Sequence, residues 1–136
     1  MMKILIVDDN PSVRTALRIC FKMKVDWVIC GEAENGQAAI ELARSAKPDV
    51  VLLDYAMPVM NGLEAARELS AQSPECALLL YTMFAAPQLI ELASAAGIRA
   101  VLSKEVNGIG AVMEAIEAIA SENADLLMSA ENRNPA

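Results

Sequence analysis

Short apolar runs alternate with longer stretches of helical periodicity along most of the chain. In the longer stretches, apolar residues recur at intervals of three and four, as on a helix with one buried face. The runs are Ile4 to Val7, Trp27 to Ala33, Val50 to Leu53, Ala77 to Thr82 and Ala100 to Leu102. Because strands that alternate with helices are joined by right-handed crossovers, the pattern predicts an α/β protein. We expect a doubly wound, five-stranded parallel sheet with helices on both faces.

The helical stretches have recognisable ends and core-facing stripes. Asn10 and Pro11 are the residue types of an N-cap and a first helical turn, and Gly97 is that of a C-terminal cap. The stripes are formed by Val13, Ala16, Leu17 and Cys20, by Ala39, Leu42, Ala43 and Ala46, and by Ile109, Val112, Met113, Ile116 and Ala120. We interpret these residues as core positions and not as a cofactor-binding pattern.

The chain length fits one domain. A chain of 136 residues can bury a substantial core without disulfides or a structural metal. From Ser129 onward the sequence SAENRNPA is polar and aperiodic, which favours a frayed tail or the beginning of a linker. We therefore expect a domain over residues 1–122 and a C-terminal tail or linker over residues 123–136.

Charge and hydropathy bear on nucleic-acid binding, secretion and membrane attachment. The formal net charge is −7 and the pI is near 4.5, so direct nucleic-acid binding by this chain is not expected, because phosphate contacts need clustered Lys and Arg. The N-terminal apolar run is shorter than the core of a signal peptide, and uncharged stretches fall below the roughly 18 apolar residues of a membrane span. A cytoplasmic protein without membrane attachment is expected.

The residue types that are present limit the chemistry. The chain has no histidine, which removes imidazole as a base, a metal ligand or a phosphate carrier. The chain has three cysteines, Cys20, Cys30 and Cys76, and no two of them have CxxC spacing. An odd number without this spacing indicates neither a disulfide framework nor a zinc site. Carboxylates, hydroxyls and lysine remain as the groups that could act.

Polar residues follow the predicted strands at one edge of the sheet. Asp8 and Asp9 end the first strand, Asp54 ends the third, Thr82 ends the fourth, and Lys104 lies just past the fifth. Ligands of open α/β sheets bind outside the carboxyl ends of the strands. If the strand order is 2-1-3-4-5, three carboxylates converge there, and their repulsion would be relieved by a hard cation such as Mg²⁺.

The chain closely resembles the receiver domain of two-component response regulators. The segments ILIVDDN, PDVVLLDYAMPVMNG, YT and LSK carry the resemblance in order and spacing, over roughly residues 2–121. The resemblance implies the flavodoxin-like strand order 2-1-3-4-5, which the chemotaxis-type receiver also has. The segments GEAENGQAAIEL and YTM are most similar to the NarL/LuxR-type branch, in which a receiver is commonly joined to a DNA-binding domain.

The resemblance implies a role in phosphoryl transfer for three residues. Asp54 would be the nucleophile that accepts a phosphoryl group from a histidine kinase and forms an acyl phosphate. Lys104 would pair with the phosphoryl oxygens, and Thr82 would donate its hydroxyl to one of them. The protein would catalyse its own phosphorylation and dephosphorylation and would otherwise not be an enzyme.

The resemblance also implies a magnesium site. Asp8 and Asp9 would hold Mg²⁺, with Asp9 and Asp54 as direct ligands and the main-chain carbonyl of Ala56 as a third. In receivers, the side chains two positions after the acceptor and two after the switch hydroxyl flank the path of the hydrolytic water. These positions are Ala56 and Phe84 here, and neither side chain can orient water by hydrogen bonding, which predicts slow dephosphorylation.

Two positions depart from the common receiver pattern. Val101 occupies the position at which many receivers carry a Tyr or Phe, so a rotating ring cannot relay the signal there. Glu105 replaces the proline that often follows the lysine. The family implies that output passes through helix 4, strand 5 and helix 5 to an output domain or partner protein, with a homodimer on phosphorylation.

Two other classes of protein share parts of this sequence pattern. Phosphatases of the haloacid-dehalogenase type also use an aspartate at a strand end, but they place a second aspartate two residues later, where this chain has Ala56. A pseudo-receiver would lack the acceptor, an acidic-pocket residue or the lysine, and all of these are present. A stand-alone receiver that acts by protein–protein interaction remains the alternative to the input domain of a transcriptional regulator.

Overall fold

The computed structural model of the chain describes residues 1–83 and 85–132. Five strands and five helices alternate along it. The strands are β1 (Met2–Val7), β2 (Trp27–Ala33), β3 (Val50–Leu53), β4 (Ala77–Thr82) and β5 (Ala100–Ser103). The helices are α1 (Pro11–Phe21), α2 (Gly36–Ala46), α3 (Gly62–Gln72), α4 (Pro87–Ala95) and α5 (Ile109–Asn132). The predicted alternation of strands and helices is confirmed.

All five strands are parallel and form one sheet in the order β2-β1-β3-β4-β5. The predicted fold class and strand order are therefore confirmed. The order reverses beside β1, which lies between β2 and β3. Because parallel strands end at the same edge, the residues that follow β1 and β3 are neighbours, at the topological switch point where such folds bind ligands.

Helices cover both faces of the sheet and create two separate cores. On one face α2, α3 and α4 pack against strand residues that include Leu5, Val7 and Leu80. On the other face α1 and α5 pack against the alternate residues, among them Ile4 and Ile6. β3 is fully buried along its length, as its aliphatic sequence predicts, since helices lie above and below it.

The last helix extends beyond the predicted domain end at residue 122. α5 continues to Asn132, so residues 123–132, where a tail or the beginning of a linker was expected, continue the helix. Residues 133–136 of the expected tail lie outside the described residues, and the domain boundary itself stays a prediction. Within the described part of the chain, no helix is long and apolar enough to cross a membrane.

Candidate functional site

The sheet fixes the backbone of two aspartates at the switch point. The amide of Asp54 donates to the carbonyl of Val7 at 2.9 Å, and the amide of Asp8 donates to the carbonyl of Ala33 at 3.0 Å. Both bonds continue the sheet ladder one residue beyond the strand ends. Both carboxylates are buried, with Asp8 2% and Asp54 7% exposed. They are consequently held in place by the sheet and not by a mobile loop.

The loop after Asp54 folds tightly back onto the end of β3. The amide of Gly62 donates to the carbonyl of Tyr55 at 2.9 Å. A Cβ atom at Gly62 would lie 2.1 Å from the carbonyl oxygen of Asp54, so glycine is required at this position. Asn61 and Glu64 form a capping box that begins α3 there, which anchors the far end of the loop.

Three carboxylates converge at the switch point. One carboxylate oxygen from each of Asp8, Asp9 and Asp54 lies within 4.8 Å of the others. Asp9 is exposed, whereas the other two are buried. The amide of Tyr55 donates to Oδ1 of Asp54 at 2.7 Å, so one oxygen of that carboxylate is oriented by the backbone.

Lys104 bridges the two buried carboxylates. Its Nζ lies 2.6 Å from Oδ2 of Asp8 and 3.2 Å from Oδ2 of Asp54. The turn after β5 supports it, because the Ser103 amide donates to the side chain of Asn107 at 2.9 Å. The amide of Lys104 also donates to the carbonyl of Thr82 at 2.8 Å. The ammonium of Lys104, which follows β5, therefore lies at the carboxyl ends of β1 and β3.

Burial and charge shift the pKa values of this cluster. Burial raises the pKa of Asp8, and the charge of Asp54 acts in the same direction, although the hydrogen bonds from Lys104 and Asn10 oppose the rise. Burial disfavours the Lys104 ammonium, but the hydrogen bond to Asp8 and the charge of Asp54 outweigh it, so the pKa of Lys104 is raised. The lysine is a firmly charged ammonium, whereas Asp8 ionises at an electrostatic cost.

Asp54 lies between two cavities. One, of about 560 Å³, is lined by Asp8, Asp9, Asp54 and Lys104 together with apolar groups. The second, of about 500 Å³, is lined by Asp54, Ala56 and Thr82 with residues of α4. The structure thus places the other five residues named by the sequence around the carboxylate of Asp54. The charged residues Asp8, Asp9 and Lys104 lie on one side, and Thr82 and Ala56 lie on the other.

The residues of the first cavity suit a hard divalent cation. Three carboxylates supply oxygen ligands only, and the exposed position of Asp9 leaves room for coordinating water, as Mg²⁺ prefers. A single ammonium faces three carboxylates in this cavity, so a cation there would relieve an excess of negative charge. The donor set therefore fits the metal that the sequence predicts.

The two departures from the common receiver pattern are also visible. Val101 packs against the same core as α4, whereas Tyr81 belongs to the core on the opposite face of the sheet. The ring of Tyr81 therefore cannot replace the missing aromatic at Val101 without crossing the sheet. Glu105 is exposed. Phe84, which was expected to flank the path of water, lies outside the described residues.

Sequence reasoning missed two residues that contact the cluster. Nη1 of Arg14 donates to the carbonyl of Asp8 at 2.5 Å, and Nε of Arg14 lies 3.4 Å from Glu32. Nζ of Lys104 lies 5.8 Å from the centroid of the Tyr81 ring. The alternation of side chains along β4 signals that Tyr81 and Thr82 face opposite ways, but no comparable sequence signal indicates the reach of Arg14.

Comparison with known proteins identifies a matching family and two sequence relatives. Residues 4–117 match the response regulator receiver domain family. The chain is 40% identical over 82 residues to the transcriptional regulatory protein YdfI of Bacillus subtilis, a match that covers 60% of this chain and 38% of that protein. It is 41% identical over 80 residues to the nitrate/nitrite response regulator protein NarL of Escherichia coli K12, covering 59% and 37% respectively.

A solved structure agrees with these sequence relatives. The DNA-binding response regulator of the LuxR family from Staphylococcus aureus superposes with a TM-score of 0.81 at 28% identity, covering 88% of this chain and 98% of that chain. The matches to the two regulators span less than two fifths of their length. The family match covers most of the sheet and all of the acidic cluster, so the chain belongs to the response regulator receiver domain family.

Proposed function

We propose that Asp54 is the phosphoacceptor of this receiver domain. The observation that supports this role is the position of its carboxylate between the charged cavity and the cavity of Thr82. One oxygen is oriented by the Tyr55 amide, and the other contacts the ammonium of Lys104. A carboxylate held by the sheet yet open on both sides is suited to nucleophilic attack.

In the proposed reaction, a carboxylate oxygen of Asp54 attacks the phosphorus atom of a phosphohistidine on a kinase. A phosphorus–oxygen bond forms, the phosphorus–nitrogen bond breaks, and the histidine nitrogen keeps the electron pair and takes up a proton. Asp8, Asp9, Asp54 and the main-chain carbonyl of Ala56 would hold Mg²⁺, which when bound neutralises charge on the phosphoryl oxygens. Lys104 supplies a positive charge on the same side.

Thr82 is proposed as the residue that detects the phosphoryl group. It is buried and lines the cavity that Asp54 and Ala56 share, so its hydroxyl can move toward a phosphoryl oxygen without crossing the sheet. The volume that it vacates would be filled by aliphatic repacking near Val101, a small change in shape. Such repacking would replace the ring rotation that the sequence excludes at that position.

We infer that output passes through the surface of α4, β5 and α5. α4 has apolar residues on its outer side, and Ile90 and Leu92 are about half exposed, which is suited to a protein partner. Two curated relatives, YdfI of Bacillus subtilis and a protein of Pseudomonas aeruginosa, are described as transcriptional regulators, so we propose the input domain of a cytoplasmic transcriptional regulator that forms a homodimer on phosphorylation. A stand-alone receiver is the alternative.

Phosphorylation of purified protein tests the role of Asp54. With acetyl phosphate and Mg²⁺, intact-mass spectra should show addition of one phosphoryl group, and Asp54→Asn should abolish it. Asp26→Asn, which changes an exposed aspartate elsewhere, is the matched control and should be phosphorylated like the wild type. Undiminished phosphorylation of Asp54→Asn would refute the assignment, and an unmodified wild type would instead favour a pseudo-receiver.

A further inference from the structure

Tyr81 lines the charged cavity. It immediately precedes Thr82 on β4, and the pleat of the strand turns the two side chains to opposite faces of the sheet. Thr82 faces the cavity of α4, whereas Tyr81 joins Asp8, Asp9, Asp54 and Lys104 in lining the charged cavity. None of the roles proposed above involves this ring.

The ring lies at a cation–π distance from the ammonium and is buried. Nζ of Lys104 lies 5.8 Å from the ring centroid, within the distance at which a cation is attracted to the negative face of an aromatic ring. Tyr81 is 7% exposed and packs in the core formed with Ile116 of α5. A buried ring with few available rotamers presents a fixed surface to the flexible lysine side chain.

We propose that the ring of Tyr81 is a positioning residue that holds the ammonium of Lys104 over the phosphoacceptor during phosphoryl transfer. This inference rests on the proposed function of Asp54. Its basis is the juxtaposition of a buried aromatic ring, the lysine and the acidic cluster in one cavity.

The ring differs from the other partners of Lys104. In the proposed reaction, Asp54 takes the phosphoryl group, and Asp8 would help to hold Mg²⁺ when the metal is bound, so both ion-pair partners of the ammonium would change. The Tyr81 ring binds neither group and keeps the same interaction before and after transfer. It therefore limits the positions of a long side chain that would otherwise be free to follow its changing partners.

Substitutions at position 81 distinguish the effect of the ring from the effect of the hydroxyl. Tyr81→Phe keeps the ring and removes only the hydroxyl, whereas Tyr81→Leu and Tyr81→Met remove the ring and keep apolar volume. Leu79→Ala is the matched control, because Leu79 is buried in the same core two residues earlier on β4. It weakens packing beneath the cavity without altering the surface that faces Lys104.

The first measurement needs neither metal nor phosphodonor. In the metal-free protein, NMR spectra should show side-chain protons of Lys104 shifted upfield by the ring current of Tyr81, with the signals assigned by their loss in Lys104→Met. Tyr81→Phe and Leu79→Ala should keep the shift, and Tyr81→Leu should abolish it. A shift that persists without the ring overturns the proposal. Tyr81→Met gives the same test if Tyr81→Leu does not fold.

The second measurement is the rate of phosphorylation by acetyl phosphate at fixed Mg²⁺. We expect Tyr81→Leu to lower the rate at saturating donor by about three- to tenfold, as loss of a desolvated cation–π contact would, with little change in the donor concentration for half-maximal rate. Tyr81→Phe and Leu79→Ala should stay within about twofold of wild type. An equal loss in Tyr81→Phe would implicate the hydroxyl, and an equal loss in Leu79→Ala would implicate packing; either result overturns the proposal.

The two measurements also distinguish this inference from the proposed function. If the wild type is not phosphorylated on Asp54, the proposed function fails while the NMR result still decides whether the ring holds Lys104. If the wild type is phosphorylated and the ring variants behave like it, the function of Asp54 stands and the positioning role of Tyr81 fails.

Discussion

Val59 adopts a backbone conformation that ordinarily belongs to glycine. Its φ is 69°, and the amide of Met60 donates to the carbonyl of Pro58 at 2.7 Å across it. This three-residue turn with positive φ is strained, and a β-branched side chain worsens the strain. The Val59 side chain is 82% exposed, so little packing compensates for it.

We expect Val59→Gly to increase the free energy of unfolding by about 0.5–1 kcal/mol. The strain energy that is relieved in the folded state should exceed the free-energy cost of the greater conformational entropy that glycine gives the unfolded chain. Urea denaturation measures the change. Val25→Gly is the control, since Val25 is 99% exposed and is not among the residues with positive φ. It should lose stability. A loss of similar size in both variants would show that the turn at Val59 is unstrained.

The small side chain of Ala56 predicts a long-lived acyl phosphate. Ala56 lines the cavity on the Thr82 side of Asp54, and its methyl group cannot orient an attacking water. An asparagine there could do so, and we expect Ala56→Asn to accelerate dephosphorylation by about tenfold, part of what positioned proton transfer provides. First-order decay of the phosphorylated proteins at fixed Mg²⁺ measures this. Equal or slower decay in the variant would contradict the prediction.

The sequence predicted which residues share the site but not how they divide around it. Asp8, Asp54 and Lys104 could be placed at one edge because the carboxyl ends of parallel strands share it. The distribution of these residues between the two cavities depends on the geometry of the loops, which the spacing of residues in the sequence does not specify. The positive φ of Val59 was unpredictable for a different reason: valine disfavours that conformation, so its sequence signal indicates the opposite.

At the scale of elements, α1 is tied to the acidic cluster through Arg14. This arginine joins the carbonyl of Asp8 to the carboxylate of Glu32 on the edge strand β2. Arg18, one turn later on α1, contacts the same carboxylate through two nitrogens at 2.7 and 2.9 Å. The two arginines thus share one partner and differ in their contact with Asp8.

That difference predicts unequal effects of two matched substitutions. Arg14→Met should lower the free energy of unfolding by about 1–3 kcal/mol, because it leaves the main-chain carbonyl of the buried Asp8 without its charged donor. Arg18→Met should have a smaller effect, since solvent screens its more exposed ion pair. Urea denaturation at neutral pH compares them. A larger loss for Arg18→Met would show that the contact with Asp8 contributes little.

The length of α5 shows what an apolar stripe can and cannot predict. The stripe from Ile109 to Ala120 marked where the helix packs on the sheet, and the core contacts of Val112, Met113 and Ile116 agree with it. The helix nevertheless continues to Asn132, because residues 121–132 contain neither glycine nor proline to end it. Periodicity reports burial, whereas helix ends depend on capping and breaking residues.

For the whole molecule, we expect the burial of Asp8 in the acidic cluster to lower stability when no metal is bound. Burial raises the pKa of Asp8 above its unfolded value, so the folded state binds a proton more readily than the unfolded state. The ionised carboxylate therefore destabilises the metal-free fold at neutral pH. This penalty disappears as the pH falls through the raised folded pKa towards the unfolded value of 3.8.

Asp8→Asn should accordingly stabilise the metal-free protein at pH 7, on the order of 1 kcal/mol, a usual size for a single substitution. The difference should shrink as the pH falls through the raised folded pKa of Asp8, and it should vanish only below the unfolded value of 3.8, where Asp8 is protonated in both states. Mg²⁺ should reverse the order, because binding at about ten times the Kd stabilises the wild type by about 1.4 kcal/mol, whereas the variant has lost a carboxylate of the site. Urea denaturation with EDTA, with Mg²⁺, and with NaCl at matched ionic strength separates metal binding from screening. If Asp8→Asn is less stable than the wild type in EDTA at pH 7, its ion pair with Lys104 outweighs the cost of burying its charge, and the destabilising role of the cluster must be abandoned.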